Sequence, residues 1–271
     1  MIQLKTPSEI AVMKKAGRIA SIVLQQVLEG AKVGVSLKQL DTLAESLIQK
    51  NGASPSFKME KGYRWATCMC PTDVVVHGIP TDQKLEPGDK LCVDLGVFQD
   101  GFHADTAWTV QIENKQSLRS SQVAGLGELR MENDKLPKFL DTGKVALDKA
   151  IAQCRVGNYI GDISRTIQEV VEGAGYSCVR QLVGHGVGKM LHEDPEVPCY
   201  VRGRVENTPE LQEGMTLAIE VIYNLGKSPV VYKNTDGWTI VTADGSPSAV
   251  FEHSVAITAD GPEVLTAWNQ G

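Results

Sequence analysis

The sequence predicts an α+β fold in which two pseudo-symmetric α/β halves face each other around a central antiparallel sheet. Three observations lead there. Amphipathic helical stripes come in two pairs, the first within residues 7–52 and the second from about Thr142 to Gly173. The second pair repeats the first at an offset of 123 residues: Val33-Gly34 matches Val156-Gly157, Leu37, Leu40, Leu47 and Ile48 match Ile160, Ile163, Val170 and Val171, and Gly52 matches Gly175. After each pair the period shifts to two, with β-branched residues between turn signals, as strands require.

Taken in order, the first helix is signalled by Thr6-Pro7-Ser8-Glu9, a capping box with Pro at the first helical position. Its apolar stripe is Ile10, Met13, Ala16, Ile19 and Val23, and it stops at Gly30. Ser36 and Gln39 cap a second helix that ends at Asn51-Gly52. Strands are expected at Val74 to Val76, Lys90 to Phe98 and Phe102 to Ile112, the last two joined by the turn Gln99-Asp100-Gly101. Residues 113–141 are polar, charged in both signs and weakly periodic, and are expected to form a surface insertion with short helical pieces at most. Helices follow from about Thr142 to Cys154 and Asp162 to Gly173, then strands at 215–223, 229–233, 238–242 and 249–258, punctuated by Gly226, Gly237 and Gly245. No Pro/Gly/Ser linker divides the chain, so residues 1–271 are expected to form a single catalytic domain.

At 271 residues a compact fold can bury roughly three quarters of its unfolded surface, so stability does not require disulfides. The six cysteines, at 68, 70, 92, 154, 178 and 199, follow no scaffold spacing and are expected to be reduced thiols. Cys68 and Cys70 lack the further thiols or imidazoles of a tetrahedral zinc site. A net charge of −6 argues against nucleic acid or an anionic membrane as partner. The first residues, MIQLKTPSEIAVMKKAG, hold no apolar run suited to a signal peptide or membrane span, and the expected location is cytoplasmic.

Five residues in five segments carry the chemistry: Asp94 in CVDLGV, Asp105 in FHADTA, His185 in VGHGVG, Glu220 in LAIEVIY and Glu252 in VFEHSV. Four carboxylates and an imidazole are a hard, oxygen-rich set with enough negative charge for two divalent cations, the equipment for splitting an amide with a shared hydroxide. Asp94 and Asp105 lie eleven residues apart in strands joined by a tight turn, so their carboxylates can meet across a hairpin. The glycines around His185 permit close backbone approach and unusual dihedrals. They are not a phosphate loop, because Lys189 is followed by Met190. Glu220 and Glu252 interrupt apolar strands, which is costly unless each is paired; a salt bridge to Arg or Lys is the competing account. His192 follows seven residues after His185, and His77 ends an apolar strand before Gly78 and Pro80, a place for a substrate contact. His253 should face away from Glu252 and is left out of the site; His103, which could share the face of Asp105, is left out as well.

With those segments in view, the chain resembles the type I methionine aminopeptidases, of the pita-bread (creatinase/aminopeptidase-like) fold. TPSEIAVMKKAGRIA, VVVHGIPTDQ, LCVDLGVFQDGFHADTA, VGHGVGKMLHEDPEVP, LQEGMTLAIEVI and DGWTIVTADGSPSAVFEHSVAIT carry the resemblance nearly end to end. It implies removal of the initiator methionine from nascent polypeptides with a small second residue, at the ribosome, by a chain whose default state is a monomer. It also implies a site of two divalent ions, Co, Mn, Fe or Zn. Asp105 and Glu252 would bridge them, Asp94 would serve one, and His185 with Glu220 the other. His192 would stabilise the tetrahedral oxygen, His77 would contact the scissile amide, and Glu220 would double as acid and base. Tyr63, Cys68 and Trp238 would line the methionine pocket. Thr72-Asp73, Leu191 and Val221 depart from the usual Asn-containing pair, aromatic and Pro, and bear on pocket shape and rate. The alternatives are a prolidase-type peptidase, whose separate N-terminal domain is not found here, and a binding protein of the same fold without catalysis.

Overall fold

Helix α1 (Pro7–Gly30) begins at the predicted cap: Glu9 N donates to Thr6 Oγ1 at 3.3 Å and Thr6 N donates to the Glu9 carboxylate at 2.9 Å. The computed structural model describes residues 1–112 and 135–268. Helix α2 (Leu37–Lys50) starts with the same reciprocal pair, Ser36 with Gln39, and Gly52, at φ 74°, turns the chain out of it. The α1 face made of Met13, Ala16, Ala20, Leu24 and Val27 is fully buried.

The second helical pair is α3 (Lys135–Ala152) and α4 (Ile160–Gly173). Both α2 and α4 have 14 residues, and the repeat extends to backbone detail. Gly34 and Gly157 take φ of 85° and 87°; their amides donate to Leu85 O and Leu211 O; isolated bridges pair Ser36 with Lys84 and Tyr159 with Glu210. Helix α3 begins seven residues before the expected Thr142, so Lys135 to Asp141 belong to the body of the fold and not to a surface insertion. The charges and weak periodicity of 113–141 obscured this, and Pro137 is tolerated in the first helical turn. Leu136, Phe139 and Leu140 continue the stripe of Gly143, Ala146 and Leu147, and Phe139 is fully buried, its carbonyl accepting from the Tyr223 hydroxyl. The rest of the expected insertion, 113–134, lies outside the described residues.

Two antiparallel sheets fill the space between the helical pairs. In the first, β4 (Lys90–Gln99) pairs with β5 (Phe102–Gln111) on one side and with β1 (Ser54–Pro55) and β2 (Thr67–Pro71) on the other. Asp100 and Gly101, at φ 50° and 89°, make the predicted turn. The second has the order β13 (Gly261–Val264), β12 (Ser248–Thr258), β9 (Thr216–Asn224), β7 (Val183–Gly186), β8 (Glu193–Pro198), with β6 (Ser177–Cys178) also on β9. A small sheet joins β3 (Val74–Val76) to β11 (Ile240–Thr242) and β10 (Val230–Tyr232).

The two large sheets meet between β5 and β12, where side chains replace a backbone ladder. Thr106 Oγ1 donates to Glu252 O at 3.0 Å and Thr109 Oγ1 to Val250 O at 2.7 Å. Asp105 N donates to Ser254 Oγ, which donates back to Asp105 O, both at 2.8 Å. This seam satisfies buried backbone groups at the junction of the halves and puts the carboxylate-bearing residues of both halves beside it. All six cysteines are free and buried.

Candidate active site

Within the β4–β5 hairpin, Gly96 pairs with Asp105 and Asp94 with Ala107, so the two aspartates are diagonal neighbours on one face. From the other half, Glu220 on β9 stands directly opposite Glu252 on β12, and His185 on β7 pairs with Ala218. Asp94 and Glu220 are each the fifth residue of their strands and occupy equivalent places in the two halves. Asp105, His185 and Glu252 each present a ligand atom within 4.8 Å of the others. All five predicted ligands line one cavity of about 240 Å³.

Four carboxylates this close repel one another. Burial, and then Asp105 and Glu220, push Asp94 well above the usual carboxylate range; burial and Asp105 do the same to Glu220. Glu252 is raised by burial and by all three of the others, and burial lifts Asp105 to about 7 against the bond from Thr106 N. Asp94 Oδ1 and Glu252 Oε1 are buried without any hydrogen-bond partner. Groups left so are expensive unless something outside the polypeptide completes them. Hard oxygen donors, orphaned lone pairs and one imidazole fit divalent metal. No Arg or Lys forms an ion pair with Asp94, Asp105, Glu220 or Glu252 among the described residues, which disposes of the salt-bridge account.

His185 Nδ1 donates to its neighbour's carbonyl, Gly186 O, at 2.8 Å; that fixes the tautomer and leaves Nε2 as a lone pair, 3.5 Å from Glu220 Oε1. Burial first, then His192, lowers its pKa to about 3, so the ring is neutral, as a metal ligand must be. The glycines around it serve close approach and not unusual dihedrals: Gly184, Gly186 and Gly188 are absent from the positive-φ residues. A Cβ on Gly184 would stand 2.5 Å from Ala218 O, and one on Gly186 would stand 2.2 Å from Asp194 O.

The remaining predicted residues surround the same cavity. The His192 ring lies 4.4 Å from that of His185. His77 holds φ at 55°, a conformation a non-glycine residue adopts at a cost of about 1–2 kcal/mol, and burial drops its pKa to about 4. Its ring meets Trp238 edge-on at 6.3 Å, and Trp238 meets Tyr63 at 5.1 Å. The Tyr63 hydroxyl donates to Thr67 O at 2.9 Å and lies 3.4 Å from Cys68 Sγ. Cys68 in turn pairs with Asp94 across β2 and β4, so the aromatic wall abuts the carboxylates. His103 and His253 stand outside the lining, on Ser56 Oγ at 2.8 Å and Thr266 Oγ1 at 2.9 Å.

Sequence reasoning missed Phe57, Glu60, Gln181, Leu182 and Val183, which also line the cavity. They lie in segments with no strand or helix signal. It missed Asp41 too, a buried carboxylate on α2 whose Oδ1 accepts from Ala66 N, Thr67 N and Thr67 Oγ1, each at 2.9 Å, and anchors the segment bearing Tyr63 and Cys68. Its place between Leu40 and Leu43 in a helical stripe gave only a weak sign of a buried charge.

Residues 11–259 match the model of metallopeptidase family M24. Methionine aminopeptidase 1 of Bacillus subtilis is 40% identical over 266 residues, covering 98% of this chain and 99% of that protein. The crystal structure of methionine aminopeptidase from Thermotoga maritima superposes with a TM-score of 0.87 at 37% identity, over 99% of this chain and 100% of that one. The prolidase of Pyrococcus horikoshii superposes with a TM-score of 0.74 at 21% identity, over 98% of this chain and 64% of that one, which shows a shared fold.

Proposed function

This chain belongs to metallopeptidase family M24, and from that premise we propose that its carboxylate cluster holds two divalent ions against an aromatic wall that receives a methionine side chain. The activity is that of a methionine aminopeptidase, a metal-dependent hydrolase that removes N-terminal methionine. The observation that carries the site reading is the meeting of Asp105, His185 and Glu252 at the seam of the two halves.

In this reading Asp105 and Glu252 would serve both ions, Asp94 would serve one, and His185 with Glu220 would serve the other. When bound, the metal supplies Lewis acidity toward the scissile carbonyl and lowers the pKa of a water. Glu220 would carry a proton from the attacking water to the leaving amine. His192 donates to the carbonyl oxygen as negative charge develops on it, and His77 orients the amide. Tyr63, Cys68 and Trp238 would offer polarisable contacts to a thioether, and the proposed substrates carry a small second residue. The proposed setting is the cytoplasm, on nascent chains at the ribosome; no described helix is long and apolar enough to cross a membrane.

The test is metal-dependent release of methionine from Met-Ala-Ser, compared with Met-Leu-Ser and Ala-Pro. Cleavage of the first alone is expected with Mn²⁺ or Co²⁺ present. Hydrolysis of Ala-Pro would move the assignment to the prolidase type, and equal cleavage of both tripeptides would refute the steric limit at the second residue.

A further inference from the structure

Lys5, in the segment before α1, is only 7% exposed. Its Nζ donates to the Glu193 carboxylate and, at 3.1 Å, to Gln3 O. The side chains of this ion pair are 4% and 5% exposed, whereas the nearby pair of Lys189 with Glu9, at 2.9 Å, has side chains 59% and 27% exposed. Glu193 Oε1 accepts from Met190 N at 3.0 Å, which closes the turn leading to His192. Glu193 also pairs across β7 and β8 with Gly186, whose carbonyl orients His185.

The bare Cα of Gly188 is the room Lys5 needs: a Cβ there would stand 2.4 Å from Lys5 Cε and 2.7 Å from Nζ. Lys5 N donates to Gly214 O at 2.7 Å, so the lysine backbone is pinned to the second half. One buried ion pair therefore ties the segment that delivers His192 to the body of the fold. Buried pairs are poor sources of stability, because desolvation offsets their attraction, and similar apolar residues often serve as well. What a directional pair supplies that an apolar contact does not is a defined position.

We propose that Lys5 and Glu193 are positioning residues that set His192 over the carboxylate cluster. This rests on the reading of His192 as the donor to the developing oxyanion. The experiment is a double-mutant cycle on the Mn²⁺-loaded protein with Met-Ala-Ser, using Lys5→Met, Lys5→Arg and Glu193→Gln, each with and without His192→Ala. Lys5→Met should lower kcat about tenfold with KM within about twofold, Lys5→Arg should restore most of it, and in the His192→Ala background Lys5→Met should change kcat by less than about twofold. Glu9→Gln, which cuts the exposed pair, should leave kcat unchanged. Equal losses from Lys5→Met or Glu193→Gln with and without His192 overturn the inference alone, as does wild-type kcat in both folded variants. An unchanged kcat in His192→Ala removes the role of His192 itself, and the inference with it. If Lys5→Met does not fold, Glu193→Gln carries the same cycle.

Discussion

At the residue scale, Glu220 and Glu252 face each other across adjacent strands with Asp94 and Asp105 beside them, an arrangement that costs the bare polypeptide stability. Removing one member therefore relieves repulsion while removing a proposed ligand. Asp105→Ala and Glu252→Ala are expected to fold normally, melt no lower than the metal-free parent, and show no turnover. Near-normal turnover in either, with metal present, would sink the dinuclear assignment. His192 is different, because in the proposed mechanism it acts on charge that develops only during reaction. His192→Ala should reduce kcat about 10²-fold with little change in KM, and a pure KM effect would point to a binding role.

At the scale of elements, the second helix of each pair is entered through equivalent glycines. Gly34 and Gly157 have the same left-handed φ, and nothing lies within 4 Å of a Cβ built on either. The cost of alanine there is backbone strain alone, so Gly34→Ala and Gly157→Ala should each destabilise by about 1–2 kcal/mol in urea unfolding, and by similar amounts. A marked difference would mean that the repeat does not extend to the energetics. The segment between β5 and α3 offers another test. With Phe139 in the core, the accessory part expected from the sequence contracts to 113–134. Replacing 113–134 with a short Gly/Ser connector should leave Met-Ala-Ser hydrolysis within a few-fold of wild type, since each doubling of loop length costs only about 0.6 kcal/mol. Loss of folding would show that 113–134 belongs to the catalytic unit.

For the whole molecule, the site is the seam of the halves. Each half contributes carboxylates, and Thr106, Thr109 and Ser254 stitch β5 to β12 around them. Metal binding should therefore act as a clamp on folding. At a free ion concentration about 100-fold above Kd it adds about 2.7 kcal/mol, so chelation should lower Tm by roughly 5–10 °C in a chain of this size. The same Tm with and without EDTA would argue that the ions contribute nothing to joining the halves.

The helices, the caps of α1 and α2, the long strands and the five candidate ligand residues are legible in the chain because each rests on local physics: a capping box at Thr6 and Glu9, a period of 3.6 or 2, a carboxylate stranded in an apolar strand. The repeat is legible there too, because like core positions demand like residues. Tertiary structure alone decided that α3 starts at Lys135, that short strands such as β2 and β7 exist, and that Asp41, Phe57 and Glu60 belong to the site or its support. It alone decided that Gly188 makes room for Lys5, a residue remote from it in the chain. Such features depend on which distant surfaces come into contact, and sequence periodicity carries no record of that until the halves are packed against each other.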